Sequence, residues 1–373
     1  MRKVTKGIGI EKLIRHDLVT SGAYSPCMSL ETLGGKVEIP VETIIKLDAN
    51  ENPYGCSPRV NQALATYPYL SVYPDAGQTE LRKLLEKYTG IGAEHIVVGS
   101  GSDELIELVL RLFIAPADEV INCIPTFDMY RFCTEIYGGT LVEVPRDENF
   151  DVDVNAVKAA ITKKTKIIPL VNPNSPTGTI TPKKDILELL DTGLPVVVDE
   201  AYYEFSGETV APLVSQYGNL MVLRTFSKWA GLAGLRVGYG IFPSKIAEYL
   251  LRIKQPYNVN MAAQVAVQES LKDLDYLLSR VKAIVAERER LFAELGKLKW
   301  LKPFPSRANF ILCLVLDGKA RELQQQLQNR GILVRYFDQP LLKNYIRISV
   351  GKPEHTDALI KALKTTSGRE LGG

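Results

Sequence analysis

Histidine and cysteine are scarce in this chain of 373 residues, which contains three histidines and five cysteines. The histidines lie far apart and lack the HExxH spacing of a zinc site, so the sequence predicts no metal centre. The cysteines are odd in number and lack CxxC spacing, which argues against a disulfide framework and favours a reducing compartment. We therefore expect a cytoplasmic protein.

Strong charge of one sign and long apolar runs are also missing. Lys and Arg number 45 against 43 Asp and Glu, and no segment concentrates the basic residues, so neither nucleic acid nor a membrane surface is a predicted partner. The longest apolar runs, such as 310–316, fall far below the roughly 20 residues of a membrane-spanning helix. The motifs GxSxG, GxxxxGK[ST] and GxGxxG do not occur in the sequence. The expected partner is a small molecule.

Short β-rich runs alternate with helical patterns between residue 96 and about 242. This alternation predicts an α/β protein with a mostly parallel sheet covered by helices. A long helical stretch follows, and beyond it come a strand, a helix, two strands and a terminal helix. The predicted units are an N-terminal arm that packs on both domains and the partner (1–45), a large domain (46–265), a connecting helix (266–298), a small α+β domain (299–364) and a flexible tail (365–373).

Polar residues follow several of the predicted strands, at the sheet edge where ligands bind in open α/β folds. Lys228 lies just past one strand in a Ser-Lys pair, and Arg236 follows eight positions later. A lone Ser-Lys pair is usually an ordinary solvated lysine. Asp199 ends another strand and precedes Tyr202 by three residues, although an acid in this position is as often a helix cap.

Two polar turns follow two further predicted strands and lie at the same predicted sheet edge. Residues 172–178 (NPNSPTG) follow a third strand and by themselves indicate only a turn. Residues 99–104 (GSGSDE) join a fourth strand to a helix, and the glycines and the helix N-terminus suit an anion. Pyridoxal 5′-phosphate requires a lysine amine, a carboxylate for its ring nitrogen, and N–H groups with a cation for its phosphate. The combined pattern therefore predicts this cofactor.

The chain resembles the fold type I, pyridoxal-phosphate-dependent aminotransferases, from about Tyr24 to the terminal helix. Within that family it is most similar to the histidinol-phosphate transaminases. The resemblance implies a seven-stranded, mostly parallel sheet in the large domain and a homodimer with shared active sites. It is carried by the lysine segment 223–239 and by the segments 47–55 (LDANENPYG), 73–75 (YPD), 101–104 (GSDE), 125–130 (PTFDMY) and 345–351 (YIRISVG).

The resemblance also implies a role for individual residues. Lys228 is expected to form an imine with the cofactor, and Asp199 to pair with its pyridine nitrogen. Tyr202 is expected to hydrogen-bond the ring oxygen, and Phe127 to stack on the ring. The residues expected around the phosphate are Ser102, Asp103, Ser227 and Arg236, with Tyr73 reaching it from the other subunit.

Two positions depart from the family pattern. The family commonly has Asn immediately before the proline of this turn, where the chain has Ser175 preceded by Asn174. The sequence leaves open which of the two contacts the cofactor oxygen. The ring-stacking position, often Tyr in the family, is Phe127, which keeps the aromatic face and loses only a hydroxyl. Catalysis should survive this change.

Two arginines of the small domain are candidates for binding the substrate anion. Arg347 lies in the IRISVG context that matches the family, in which this arginine holds the substrate anion, and Arg335 ends the preceding strand. A strand arginine is more often a solvent-exposed ion pair, and this alternative weighs more for Arg335. The planar guanidinium fits carboxylate and phosphate alike. The resemblance adds Tyr24 and Asn52 as substrate contacts.

The implied reaction converts L-histidinol phosphate and 2-oxoglutarate into imidazole acetol phosphate and L-glutamate, a step of histidine biosynthesis. An aminotransferase for aromatic amino acids would share every cofactor residue. A decarboxylase of this fold acting on a phosphorylated amino acid would release carbon dioxide without an oxo-acid acceptor. A non-catalytic ligand sensor would carry a DNA-binding module, for which residues 1–45 have neither the basic charge nor the length.

Overall fold

The structure is a computed structural model, and it describes residues 9–15, Leu18 and 40–365. The expectations for Tyr24, most of the N-terminal arm and most of the tail lie outside the described residues. The strands are β1 (Ile45–Leu47), β2 (Ile96–Gly99), β3 (Glu119–Ile124), β4 (Thr140–Pro145), β5 (Thr165–Val171), β6 (Val196–Asp199), β7 (Leu220–Thr225), β8 (Gly238–Ile241), β9 (Leu301–Pro303), β10 (Phe310–Val315), β11 (Ile332–Tyr336) and β12 (Tyr345–Ser349).

Helices connect and cover these strands. They are α1 (Pro58–Thr66), α2 (Thr79–Thr89), α3 (Gly101–Phe113), α4 (Met129–Ile136), α5 (Val154–Ala159), α6 (Lys183–Leu190), α7 (Tyr203–Ser206), α8 (Ser244–Ile253), α9 (Met261–Lys272), α10 (Leu274–Gly296), α11 (Ala320–Gln328) and α12 (Pro353–Lys364). The predicted connecting stretch is thus two helices, α9 and α10, which meet at Asp273.

The larger sheet has seven strands in the order β2-β8-β7-β6-β5-β3-β4. Its neighbouring strands are parallel except for β8, which runs antiparallel to β2 and β7. The predicted α/β fold with a seven-stranded, mostly parallel sheet is confirmed. The edge strand β4 was not among the runs that the sequence pattern indicates, because most of its residues are exposed or half-buried.

The central strands are buried on both faces. Val196, Val198 and Val222 pack into one apolar core, while Val197 and their neighbours on the opposite face pack into a second core against helix α3. Continuous apolar strands such as β6 are typical of a parallel sheet covered by helices on both sides. This packing holds the carboxyl ends of the strands at one edge.

The smaller sheet has the order β1-β11-β12-β10-β9. Strand β1 pairs in parallel with β11, so that Ile45 lies opposite Ile332. Residues 45–47 therefore belong to the sheet of the C-terminal unit, although the sequence pattern assigns the chain from residue 46 to the large domain. The other domain boundaries stay predictions.

Two further observations concern the described residues as a whole. None of their helices is both long and apolar enough to span a bilayer. The four described cysteines are free thiols, and no group of His, Cys, Asp and Glu side chains in the described part of the chain could hold a metal ion.

Candidate active site

The candidate site lies where the parallel strands of the large sheet end. Val171, Asp199 and Thr225 are the last residues of β5, β6 and β7, and the register places Asp199 beside both Val171 and Leu223. Strand β2 points the same way, so helix α3 starts at the same edge. Four chain segments far apart in sequence therefore meet here.

A cavity of about 250 Å³ opens at this edge. Nine of the site residues predicted from the sequence line it: Ser102, Asp103, Phe127, Ser175, Asp199, Tyr202, Ser227, Lys228 and Arg236. The structure thus brings together an amine, two carboxylates, a phenol, three hydroxyls, a guanidinium and the Phe127 ring.

Asp199 is the buried carboxylate of this cavity, with 2% of its surface exposed. Its Oδ1 accepts a hydrogen bond from the Ala201 N–H at 3.1 Å, and the Tyr130 hydroxyl donates to its Oδ2 at 3.4 Å. Burial raises the pKa of Asp199 to about 7, although the hydrogen bonds from Ala201 and Tyr130 act in the opposite direction. A buried carboxylate of this kind is suited to a cationic ring nitrogen.

The N-terminus of helix α3 and Arg236 form one end of the cavity. The first-turn N–H groups of a helix have no intrahelical acceptor and favour an anion. Gly101 has φ +78°, and a Cβ atom at this position would lie 2.5 Å from the Arg236 guanidinium. Arg236 Nη2 lies 2.6 Å from Asp103 Oδ2. Glycine at 101 therefore suits the left-handed backbone, and a side chain there would displace the Arg236 guanidinium from this position.

Lys228 follows β7 and projects into the same cavity. Its Nζ donates a hydrogen bond to the Ala49 carbonyl at 2.9 Å. Nearby, Ser227 is buried, and the Thr225 hydroxyl donates to its Oγ at 3.0 Å. A hydrogen-bonded turn thus orients the lysine amine.

Residues 48–50 contact three of the predicted site residues in succession. The Asp48 carbonyl accepts from Arg347 Nη2 at 2.8 Å, the Ala49 carbonyl accepts from Lys228, and Asn50 Nδ2 donates to the Tyr202 hydroxyl at 2.9 Å. This segment directly follows strand β1, which pairs with the smaller sheet. The contacts therefore link both sheets to one site.

Asn174 and Ser175 occupy different positions relative to the cavity. Asn174 is fully buried; its Nδ2 donates to the Pro125 carbonyl and Thr177 Oγ1, and its Oδ1 accepts from Thr126 Oγ1. Ser175 lines the cavity. The amide of Asn174 is thus occupied in holding the turn, while the Ser175 hydroxyl faces the site.

A second cavity, of about 440 Å³, adjoins the first and shares Phe127 and Ser175 with it. Arg335 and Arg347 both line this second cavity. Arg347 is 8% exposed, and its Nη1 donates to Ser175 Oγ at 3.2 Å. It is therefore not a solvent-facing strand arginine. A third arginine of the cavity, Arg131, is paired with Asp128 and Glu135. The guanidinium groups of Arg335 and Arg347 are suited to an anion.

Three other predicted residues lie away from these cavities or outside the described chain. Asn52 lines neither cavity: its Nδ2 donates to the Trp229 carbonyl at 2.7 Å, and its Oδ1 accepts from the Tyr54 N–H at 2.9 Å. Tyr73 is 77% exposed and stacks on Tyr257, with ring centroids 4.6 Å apart. Tyr24 lies outside the described residues.

Three residues of the site were not predicted from the sequence: Asn50 and Tyr130, which lie behind the cavity lining, and Thr225, which is part of it. Asn50 and Tyr130 bond to Tyr202 and Asp199, respectively. Both lie in segments that carry the family resemblance, which was the available signal for a role. Thr225 lines the cavity at the end of β7. Its position at the end of a strand could have identified it as a candidate site residue.

The family model for aminotransferase class I and II matches residues 42–363. The chain belongs to this aminotransferase family. Its relatives include the histidinol-phosphate aminotransferase of Dehalococcoides mccartyi, which is 56% identical to this chain over 354 residues. The alignment covers 95% of this chain and 98% of the relative. The chloroplastic histidinol-phosphate aminotransferase of Nicotiana tabacum is 45% identical to this aminotransferase. That alignment covers 95% of this chain and 86% of the tobacco protein.

Solved structures also resemble this aminotransferase. The histidinol-phosphate aminotransferase of Sinorhizobium meliloti, in complex with pyridoxal-5′-phosphate, superposes with a TM-score of 0.84 at 26% identity, over 91% of this chain and 94% of that one. A double mutant of the aspartate aminotransferase of Thermus thermophilus has the same fold, with 21% identity and a TM-score of 0.78, over 94% of this chain and 98% of its own.

Proposed function

We propose that this aminotransferase binds pyridoxal 5′-phosphate and transfers the amino group of L-histidinol phosphate to 2-oxoglutarate, giving imidazole acetol phosphate and L-glutamate. The observation that carries the proposal is the junction of two cavities. One contains the Lys228 amine and the Asp199 carboxylate, and the adjoining one contains Arg335 and Arg347. The names of the similar proteins support the choice of substrate.

The groups that line the first cavity fit the cofactor chemically. Asp199 would bind the ring nitrogen, and Tyr202 and Ser175 would reach the ring oxygen. Phe127 supplies an aromatic face for stacking. Ser102, Ser227, Arg236 and the first turn of α3 would hold the phosphate, with Asp103 orienting Arg236 through their ion pair.

When bound, the cofactor supplies an aldehyde that takes up the amino group and a ring that stabilises negative charge at the substrate α-carbon. The Lys228 amine would act first as a general base that takes the proton from the substrate α-carbon, and then as a general acid that delivers it to the carbon supplied by the cofactor aldehyde. Asp199 would keep a proton on the ring nitrogen, because its buried carboxylate would gain a cationic partner there.

Arg347 would hold the substrate anion in both half-reactions. The Asp48 carbonyl and Ser175 Oγ orient its guanidinium, and it also lies 5.2 Å from the centre of the Phe310 ring. A planar guanidinium binds the phosphate of one substrate and a carboxylate of the other through the same two-pronged geometry. One arginine can thus serve both substrates.

The active form is proposed to be a homodimer in the cytoplasm. Tyr69, Leu70, Val72 and Tyr73 are each more than half exposed, and Tyr257 stacks on Tyr73. An apolar surface of this kind on a folded chain favours contact with another protein surface. A second copy would bring Tyr73 towards the partner's cofactor phosphate. The free thiols suit a reducing compartment.

Two measurements test the proposed function. Borohydride reduction of the protein loaded with pyridoxal phosphate should attach the cofactor to the peptide that contains Lys228; a label on another lysine would contradict the assignment. With 2-oxoglutarate and a panel of amino donors, glutamate should form fastest from histidinol phosphate. Faster turnover of phenylalanine would instead identify an aromatic aminotransferase, and release of carbon dioxide a decarboxylase.

A further inference from the structure

Asn50 lies behind the candidate site and lines neither of its cavities, yet it contacts a residue that does. Its Nδ2 donates to the Tyr202 hydroxyl at 2.9 Å, and it has φ +56° with 1% of its surface exposed. A left-handed backbone is uncommon outside glycine, and asparagine is among the residues that tolerate it best. This position therefore combines a special backbone conformation with a polar side chain.

Every type of polar group on Asn50 makes a hydrogen bond. The backbone N–H donates to Ser349 Oγ at 2.9 Å, and the backbone carbonyl accepts from Asn309 Nδ2 at 2.9 Å. The side-chain Oδ1 accepts from Ser349 Oγ, also at 2.9 Å. Ser349 and Asn309 belong to strand β12 and to the turn before β10, so the small sheet fixes Asn50 from two sides.

These bonds determine which way the Asn50 amide faces. The Ser349 hydroxyl accepts from the backbone N–H and donates its proton to Oδ1, which leaves the Nδ2 end directed at Tyr202. An amide nitrogen only donates, so the Tyr202 oxygen must accept. The proton of the Tyr202 hydroxyl then has to be donated elsewhere, and the open direction is the cavity that Tyr202 lines.

We propose that Asn50 is a positioning residue that directs the Tyr202 hydroxyl proton into the cavity, where it is donated to the ring oxygen of the cofactor. This inference deepens the proposed function and rests on it. Tyr202 also packs edge-on against Phe310, with ring centroids 5.1 Å apart, which restrains the ring while Asn50 restrains the hydroxyl. The segment 47–55 thereby has a physical role in the site.

The test is a pH titration of the visible absorption band of the protein loaded with pyridoxal phosphate. A hydrogen bond from Tyr202 stabilises negative charge on the ring oxygen, so its loss raises the pH midpoint of the band. The substitution Asn50→Asp puts an acceptor in place of the amide donor, so the hydroxyl turns away from the cavity. The midpoint should rise by about one pH unit, the effect of losing one hydrogen bond to a charged group.

A double-mutant cycle separates this effect from the added negative charge. In the background of Tyr202→Phe, which has no hydroxyl to turn, Asn50→Asp should shift the midpoint far less. Equal shifts in both backgrounds, or no shift in either, would overturn the proposal. Asn219→Asp is the matched control, because the Asn219 amide bonds two backbone carbonyls away from the cavity, and it should leave the midpoint unchanged.

Asn50→Gly keeps the test decisive if the aspartate variant does not fold. Glycine accepts the left-handed backbone and removes the side-chain donor. The midpoint should again rise, by no more than in Tyr202→Phe, and an unchanged midpoint in Asn50→Gly would overturn the proposal. A wild-type protein that forms no visible band with pyridoxal phosphate would refute the proposed function itself, and the inference with it.

Discussion

Replacing Asp199 by Asn should stabilise the cofactor-free protein while it destroys activity. The amide has nearly the same shape: its oxygen can still accept from the Ala201 N–H, and its nitrogen can donate to the Tyr130 oxygen. What disappears is the buried charge. The pKa of Asp199 rises from 3.8 to about 7 on burial, and at about 1.4 kcal/mol per pKa unit the buried carboxylate destabilises the fold by up to about 4 kcal/mol.

The pH dependence follows from the direction of this shift. The folded protein holds the Asp199 proton more tightly than the unfolded chain, so the destabilisation grows from about pH 4 and is complete above about pH 7. Urea unfolding of the cofactor-free proteins should therefore show Asp199→Asn to be more stable than wild type at pH 8. The difference should shrink as the pH falls towards 4.

Turnover should change in the opposite direction. Without the carboxylate the ring nitrogen loses its proton, and the rate should fall by roughly two orders of magnitude or more. Glu204→Gln is the matched control, because burial also raises the pKa of Glu204, to about 8, and this residue does not line the cavity. It should alter stability and leave turnover unchanged. An Asp199→Asn protein that is no more stable than wild type at pH 8 would refute the reasoning.

Three further predictions concern the anion sites and the assembly. Arg347→Ala should raise the Michaelis constants for the amino donor and 2-oxoglutarate about 10- to 100-fold in steady-state assays, with cofactor absorbance unchanged; an effect on one substrate alone would mean that another cation anchors the other. Tyr73→Phe should weaken cofactor retention during dialysis of a sample that light scattering finds dimeric, and a fully active monomer would contradict the shared site. Gly101→Ala should also weaken cofactor retention, because the new Cβ would lie 2.5 Å from the Arg236 guanidinium. Gly193→Ala is the control: this glycine has a similar φ of +79° with open space around it, and its substitution should leave retention unchanged.

Much of the candidate site was predictable because each part is a local pattern. Asp199 and Lys228 are visible as polar residues just beyond apolar strands, and parallel strands bring their carboxyl ends to one edge. The same reasoning identified the glycine turn before α3 and the small sheet that carries Arg347. These features depend on which residues are buried and on where a strand ends. The hydrophobic periodicity of the sequence indicates both.

The choice between Asn174 and Ser175 depended on side-chain direction. Adjacent residues in a turn differ in orientation, and spacing alone does not reveal which one faces a cavity. In the structure the Asn174 amide bonds the surrounding turn, and the Ser175 hydroxyl lines the cavity. The corresponding cofactor contact stays a proposal.

The α/β class, the polar residues at the strand ends and the family resemblance could all be derived from the sequence. The contacts of residues 48–50 with Arg347, Lys228 and Tyr202 could be seen only in the folded structure. That arrangement requires β1 to pair with β11, which places Ile45 opposite Ile332 although the two strands lie near opposite ends of the sequence. Hydrophobic periodicity reports which face of a strand is buried, but it carries no information about which distant strand lies beside it.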